Sequence, residues 1–360
     1  MAFFSKFQYC SDVKRPIFGA GPHIYALTFP SHSTAINLSP SPVLITNSNC
    51  LIMPTLSVII PNYNHAAFLR SRIDSVLSQT FDDIEVIILD DHSQDNSAEV
   101  INSYRGHPKI THIIFNNTNS GSTFKQWSKG IDVAKGKWIW IAESDDWSEK
   151  TFLETFLPAF DDSKGVSIAY CQSLVVNTEG KTLKTSNNER FEELIPGAEF
   201  VAKRLLKKNL IINASMCIFR KEYYHAVSDK YMHYKFIGDW LFWIEMAALG
   251  NVFISGKVLN YFRKHSADVT TTAYSSGLYF FEYFQLTEDL HDLKLLTSHE
   301  KQKMIEKNFS YYFFSNIPDK TVRKRLDKNY HSKLGLKYYS ILANTYCKKL
   351  VARMVNMSAR

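Results

Sequence analysis

No stretch of the 360 residues stays apolar for the roughly 18 positions that a bilayer-crossing helix needs. Cysteine is scarce. Cys10, Cys50, Cys171, Cys217 and Cys347 show no paired spacing, which argues against a disulfide framework or a zinc ribbon and reads as reduced thiols. No basic segment followed by a compact apolar core and a small-residue cleavage site opens the chain, so its start does not read as a signal peptide. No G-x-G-x-x-G follows the first strong strand pattern, which speaks against a dinucleotide cofactor. No internal repeat, low-complexity tract or recognised nucleic-acid-binding motif stands out.

What is present describes a globular protein of one large or two ordinary domains, 45% hydrophobic and 21% charged. The net charge of +7 is uneven: Glu300 to Arg360 carries 14 Lys/Arg against four Asp/Glu, leaving the rest slightly acidic. A basic, aromatic-rich C-terminus suits an anionic surface, either the inner membrane leaflet or a lipid-linked phosphate acceptor. A solvated helical face explains the same charges. Residues 1–53 are rich in Ser, Pro, Asn and Thr and lack periodicity. They read as a poorly ordered extension upstream of a natural start at Met53.

From Ser57 the pattern alternates. Apolar runs at 57–61, 85–89, 110–115 and 137–142 read as buried strands, and 66–79, 97–104 and 123–134 as helices between them. That alternation predicts a parallel sheet with helices on both faces, a Rossmann-like half. Beyond Glu149 the pattern loosens. A helix is expected over 150–160, strands over 167–170 and 173–176, and a polar loop over 180–196 that suits a mobile acceptor flap. Helices follow near 198–207, 221–227 and 239–249, strands at 214–219, 251–254 and 258–262, and helices from Ser275 onward.

Three polar groups fall at strand ends, where open α/β sheets bind ligands. They are Pro61-Asn62-Tyr63-Asn64, then Asp90-Asp91-His92-Ser93-Gln94-Asp95-Asn96-Ser97, and Glu143-Ser144-Asp145-Asp146. Tyr63 can offer a nucleotide base a surface, and Asp91 can accept a base N–H. Crowded carboxylates at 143–146 suit a hard cation, Mg²⁺ or Mn²⁺, completed by substrate phosphates. Asp95 and Ser97 also read as plain helix caps. Lys125 can neutralise a phosphate or simply face solvent.

These segments, with Ser78-Gln79-Thr80-Phe81 and Asn119-Ser120-Gly121, resemble the family 2 inverting glycosyltransferases over residues 55–270. The resemblance implies a GT-A fold: α/β, mostly parallel, with a nucleotide-binding half over 54–147 and an acceptor half over 148–270. A basic helical region, 271–360, would follow. It implies that Pro61 and Tyr63 border the base, Asp91 accepts its N–H, and Lys125 lies near the nucleotide. Asp145 would face ribose or metal and Asp146 would coordinate the metal, with Glu143 standing where the family commonly has Asp. Asp239, opening an aromatic-rich helix, would be the catalytic base, although a carboxylate there also suits the helix dipole. His265 would reach the diphosphate or the metal, with Arg263 in support. Trp240 would carry a sugar ring or pack the core, and Trp243 would pack the core.

The expected activity is metal-dependent transfer from a nucleotide diphosphate donor, a UDP-sugar, to a saccharide or lipid-linked acceptor in surface polysaccharide assembly. The expected setting is cytoplasmic and peripheral to the inner membrane face, without nucleic acid as a partner. A nucleotidyltransferase is the second reading, but Pro61-Asn62-Tyr63-Asn64 has no Gly-rich basic loop. A non-catalytic sugar- or nucleotide-binding module is the third, and the presence of both Asp146 and Asp239 weighs against it.

Overall fold

The computed structural model describes residues 53–186, 191–264 and 269–358, which belong to one compact unit. The expected N-terminal extension lies outside these residues, except for Met53. The chain opens with β1 (Leu56–Asn62), α1 (Ala66–Leu77), β2 (Ile84–Asp90), α2 (Ser97–Asn102), β3 (Ile110–Phe115), α3 (Thr123–Val133) and β4 (Trp138–Ile141). All of β1, β2 and β4 is buried, as strands covered on both faces must be. They pair in parallel in the order β3-β2-β1-β4. Strand order reverses between β1 and β4, so their C-terminal ends border the switch point where ligands bind in such sheets.

The second half contains β5 (Trp147–Ser148), β6 (Val166–Val176), β7 (Thr182–Thr185), β8 (Glu192–Pro196), α4 (Gly197–Phe200), β9 (Cys217–Arg220), α5 (Lys221–Tyr224), α6 (Gly238–Ala248) and β10 (Asn251–Arg263). The ten-stranded sheet runs β3-β2-β1-β4-β9-β6-β10-β5, with β7 on β6 and β8 on β10. β9 is antiparallel to both β4 and β6, while β6 and β10 run parallel. The expected α/β GT-A architecture with a mainly parallel central sheet is what forms.

Local expectations failed in informative places. The helix expected over 150–160 is a 3₁₀ segment, Glu154–Ala159, because Pro158 removes a helical donor. The two strands expected over 167–176 are one, as are the two over 251–262. The polar loop at 180–196 holds β7 and β8, both paired into the sheet. Residues 187–190 of that loop lie outside the described residues.

Helices α7 (Val269–Ser275), α8 (Leu278–Asp292), α9 (Ser298–Phe314), α10 (Lys320–Leu334) and α11 (Lys337–Ser358) complete the chain. α8 serves two cores. Tyr283, Leu286 and Leu290 join the sheet's core, while Phe280 and Phe284 join an aromatic cluster with Phe309, Tyr312 and Tyr330. Through α8 the helical region expected from 271 onward packs against the sheet's core. Among the described residues, no helix is long and apolar enough to cross a membrane.

α3 presses onto β1 and β2 at Gly130, where a Cβ would lie 2.5 Å from Ile59 and 2.9 Å from Leu89. Both contacts belong to central strands. Gly130→Ala is expected to destabilise the fold by about 1–3 kcal/mol through overpacking, read from urea unfolding midpoints.

Candidate active site

The strand ends converge as expected. A cavity of about 410 Å³ is lined by Pro61, Asn62 and Tyr63 at the end of β1, Asp91 after β2, and Glu143 and Ser144 after β4. The loops are tied to one another. Asn62 Nδ2 donates to Asp90 Oδ1 at 2.7 Å, and the Ser93 hydroxyl donates to the same oxygen at 2.6 Å. His65 Nδ1 lies 2.8 Å from Ser144 Oγ, joining the β1 and β4 loops. Asn64 and His92 both hold a positive φ, 56° and 66°, to make these sharp turns.

Asp91 is nearly fully buried and organises the 116–126 loop. Its Oδ1 accepts from Asn116 Nδ2 at 2.6 Å, Ser120 N at 2.9 Å and Gln126 Nε2 at 3.0 Å. Its Oδ2 accepts from Ser120 Oγ at 2.7 Å and from Ser120 N at 3.1 Å. Lys125 is not brought here. It is exposed and lines a separate depression with Lys129, because its helical position points away from the buried face of Phe124, Gln126 and Trp127. The lysine lining the cavity is Lys235, which sequence reading missed.

The acidic cluster divides by environment. Asp146 is fully buried and committed to protein: Oδ2 accepts from Ser215 Oγ at 2.7 Å and Oδ1 from the Arg263 backbone N–H at 3.0 Å. Arg72 lies 3.8 Å away, equally buried. Asp146, expected to coordinate the metal, is not among the residues lining the cavity, and each of its oxygens accepts one hydrogen bond from the protein. Asp145 stays half-buried. Glu143 lines the cavity and accepts from Trp127 Nε1 at 2.9 Å. Burial first, then repulsion from Asp145 and Asp146, pushes Glu143 up to about 8. Burial and Asp145 likewise raise Asp146 to about 7. Hard oxygen donors and mutual repulsion fit a Mg²⁺ or Mn²⁺ ion, which would relieve the crowding. Among the described residues, no group of three or more His, Cys, Asp or Glu is arranged to hold a metal by itself.

Arg263 is a strut. Its Nε donates to the Asp145 carbonyl at 2.9 Å, and its guanidinium lies 4.6 Å from the ring centres of both Phe68 and Trp147. His265 lies outside the described residues.

Asp239 lines a second cavity, also about 410 Å³, together with Trp240. Its Oδ1 accepts from Trp240 N at 2.7 Å and Oδ2 from Asn209 Nδ2 at 3.1 Å. Burial raises Asp239 to about 7. Trp240 is buried and donates through Nε1 to the Leu205 carbonyl at 2.9 Å; Trp243 is wholly buried in the core. Segment 235–239 is shared between the cavities: Lys235 lines the first, and Phe236, Ile237 and Asp239 the second. Glu282 of α8 holds that segment by accepting from the N–H groups of Lys235, Phe236 and Ile237 at 2.7, 3.0 and 2.9 Å. Gly238 completes the wall, since a Cβ there would lie 2.4 Å from the Tyr231 carbonyl.

The strand-end cavity, acidic on one edge, and the neighbouring cavity around Asp239 are set in an α/β sheet of the GT-A kind. Residues 57–227 match the model of glycosyl transferase family 2. It is 33% identical over 145 residues to a chondroitin synthase of Pasteurella multocida, covering 40% of this chain and 15% of that protein. A hyaluronan synthase of the same species is 31% identical over 168 residues, of which the chain likewise covers only 16%. An uncharacterised glycosyltransferase of Rickettsia prowazekii is 27% identical over 300 residues, 81% of this chain and 88% of that one. The crystal structure of Staphylococcus aureus TarS residues 1–349 with UDP-GlcNAc superposes with a TM-score of 0.60 at 19% identity, covering 80% of this chain and 83% of that one. That likeness speaks for the fold.

Arg72 is the buried counter-charge of the acidic cluster, with its Nε bonded to the Glu143 carbonyl at 2.9 Å. Arg72→Met is expected to cost about 3–5 kcal/mol by leaving Asp146 buried and uncompensated. Chemical denaturation at pH 8 reads this; at pH 5 the loss shrinks because Asp146 protonates instead.

Proposed function

We propose that the protein is a metal-dependent inverting glycosyltransferase that moves a sugar from a UDP-sugar to a hydroxyl of a saccharide or lipid-linked acceptor in cell-surface polysaccharide assembly. The observation that carries this reading is the pair of cavities sharing the 235–239 wall, one bordered by strand-end nucleotide groups, the other holding Asp239. The TarS structures that contain UDP-GlcNAc and UDP lend the choice of UDP its support. The nucleotide-binding half spans 54–147 and the acceptor half 148–270, with α7 to α9 completing the acceptor wall. The basic helices α10 and α11 suit a peripheral position at an anionic membrane face on the cytoplasmic side.

Each residue has a role in this reading. Tyr63 and Pro61 flank the base, and Asp91 Oδ2 accepts its N–H. Glu143, carrying a proton near neutrality, bonds ribose hydroxyls. Asp145 would hold a Mn²⁺ or Mg²⁺ ion, with the donor diphosphate completing its shell. When bound, the cation supplies charge stabilisation for the departing diphosphate. Lys235 adds positive charge on the same side. Asp239 takes the proton of the acceptor hydroxyl as that oxygen attacks the anomeric carbon from the face opposite the diphosphate. The bond from that carbon to the diphosphate oxygen breaks, and the configuration inverts. A carboxylate near pKa 7 is suited to this step because a large share of it is ionised near neutrality while it stays basic enough to accept a proton.

Asp239→Asn is expected to lower transfer by about 10²–10⁴-fold while leaving UDP binding intact. Wild-type kcat/KM should rise with pH and level off above about 7, because the base must be ionised. Stability runs the other way. Asp239 is raised from 3.8 to about 7, so its stabilising contribution is present below about pH 4 and lost as pH rises to about 7. The thermal midpoint of Asp239→Asn should therefore gain on wild type across that window.

Thermal unfolding with UDP, GDP, dTDP and CDP, each with and without Mn²⁺, tests the donor assignment, since a ligand of the folded state raises the midpoint. A Mn²⁺-dependent rise with UDP alone is expected, weakened at least about tenfold in apparent Mn²⁺ affinity by Asp145→Asn. Absence of any shift in folded protein would overturn the reading.

A further inference from the structure

We infer that the acceptor is an anionic glycan chain, selected by a rim of lysines around Asp239. This deepens the transferase reading above and rests on it. The rim is assembled from four distant segments: Lys184 on β7, Lys207 and Lys208 before β9, Lys264 at the end of β10, and Lys307 on α9. Asp239 is the one acidic residue among the described residues lining this cavity.

Several lysines elsewhere are neutralised by carboxylates. Lys203 pairs with Glu199, Lys230 with Asp289, and Lys301 and Lys333 with Glu288. Among the described residues, no carboxylate and no hydrogen-bond acceptor engages the ammonium of Lys184, Lys207 or Lys208, and all three are exposed. Lys307 Nζ donates to the Lys207 backbone carbonyl at 3.0 Å, a contact that does not neutralise its charge. Like charges gathered at one opening repel unless an anion lies between them.

The same cavity offers surfaces for sugar rings. Tyr274 and Tyr279 stack at 4.4 Å and 28°, and Tyr311 is 59% exposed beside them. Aromatic faces and flexible ammonium groups together suit a chain of rings or polyols bearing repeated oxyanions. Lysine acts as a point charge rather than a bidentate fork, so the rim accepts carboxylate and phosphodiester alike. The shared chemistry is a repeating oxyanion on a hydroxyl-rich chain. The donor diphosphate does not account for the rim, because the strand-end groups line the other cavity.

Titration calorimetry on the full chain with three oligomers tests this: tetragalacturonate for carboxylates, a tetrameric glycerol phosphate for phosphodiesters, and neutral chitotetraose. At least one acidic oligomer is expected to bind about tenfold or more tightly than chitotetraose, and to weaken between about 0.05 and 0.3 M NaCl. The arm that responds identifies the anion. Lys207→Glu/Lys208→Glu should remove about tenfold of that affinity or more while the UDP response with Mn²⁺ persists. If charge reversal perturbs folding, Lys207→Gln/Lys208→Gln gives the same reading in a milder form. Equal binding of all three oligomers, no binding of any, or an unchanged affinity in the folded variant overturns the inference. Failure of UDP to bind would instead strike the donor assignment, and is read separately.

Discussion

A buried charge knot holds the catalytic architecture together. Asp146 sits without solvent contact at the end of β4, tied to Ser215, to the backbone of Arg263 and, across the sheet edge, to Arg72 of α1. Each tether comes from a different part of the chain. Ser215 also accepts the Glu143 N–H at 3.0 Å, so one hydroxyl positions two members of the acidic turn. Removing charges from water is costly, and their mutual attraction compensates only when geometry is fixed. The knot therefore links the acidic turn's conformation to correct assembly of both halves of the sheet. Glu143 is left on the cavity side of that anchor.

The wall at 235–239 has a comparable logic. A carboxylate accepting three backbone N–H groups is a rigid clamp, and Glu282 supplies it from α8. The C-terminal helices thereby act on both cavities. They hold the segment carrying Lys235 and Asp239, and they contribute Tyr274, Tyr279, Lys307 and Tyr311 to the second cavity. Their basic charge, which in sequence suits a membrane surface, is partly spent at the opening around Asp239.

Much of this was legible in the chain. Period-free apolar runs such as Val58–Ile60 and Ile87–Leu89 belong to strands buried on both faces, and their ends carry the polar groups that line the first cavity. Parallel strands share one direction, so residues at their C-terminal ends meet whatever the intervening lengths. The merged strands and the pairing of β7 and β8 were not legible, because each depends on partners remote in sequence, whereas the 3₁₀ segment at 154–159 follows from Pro158, a local signal. Lys125 and Lys235 illustrate the limit. A lysine three residues into a helix after a strand end looks placed for phosphate, yet helical phase turns it outward. Lys235 has no local motif and reaches the cavity because Glu282 bends its backbone there.

Sequence alone determined the strand–helix alternation, the convergence of Tyr63, Asp91 and the acidic turn, and the prominence of Asp239, since all follow from local pattern and parallel topology. Tertiary structure decided which carboxylate of the turn is structural and which faces the cavity, because burial and hydrogen-bond partners come from Arg72, Ser215 and Arg263. It also decided that five lysines and three tyrosines share one opening, since spatial proximity between β7, β10 and α9 is a property of packing that no spacing along the chain encodes.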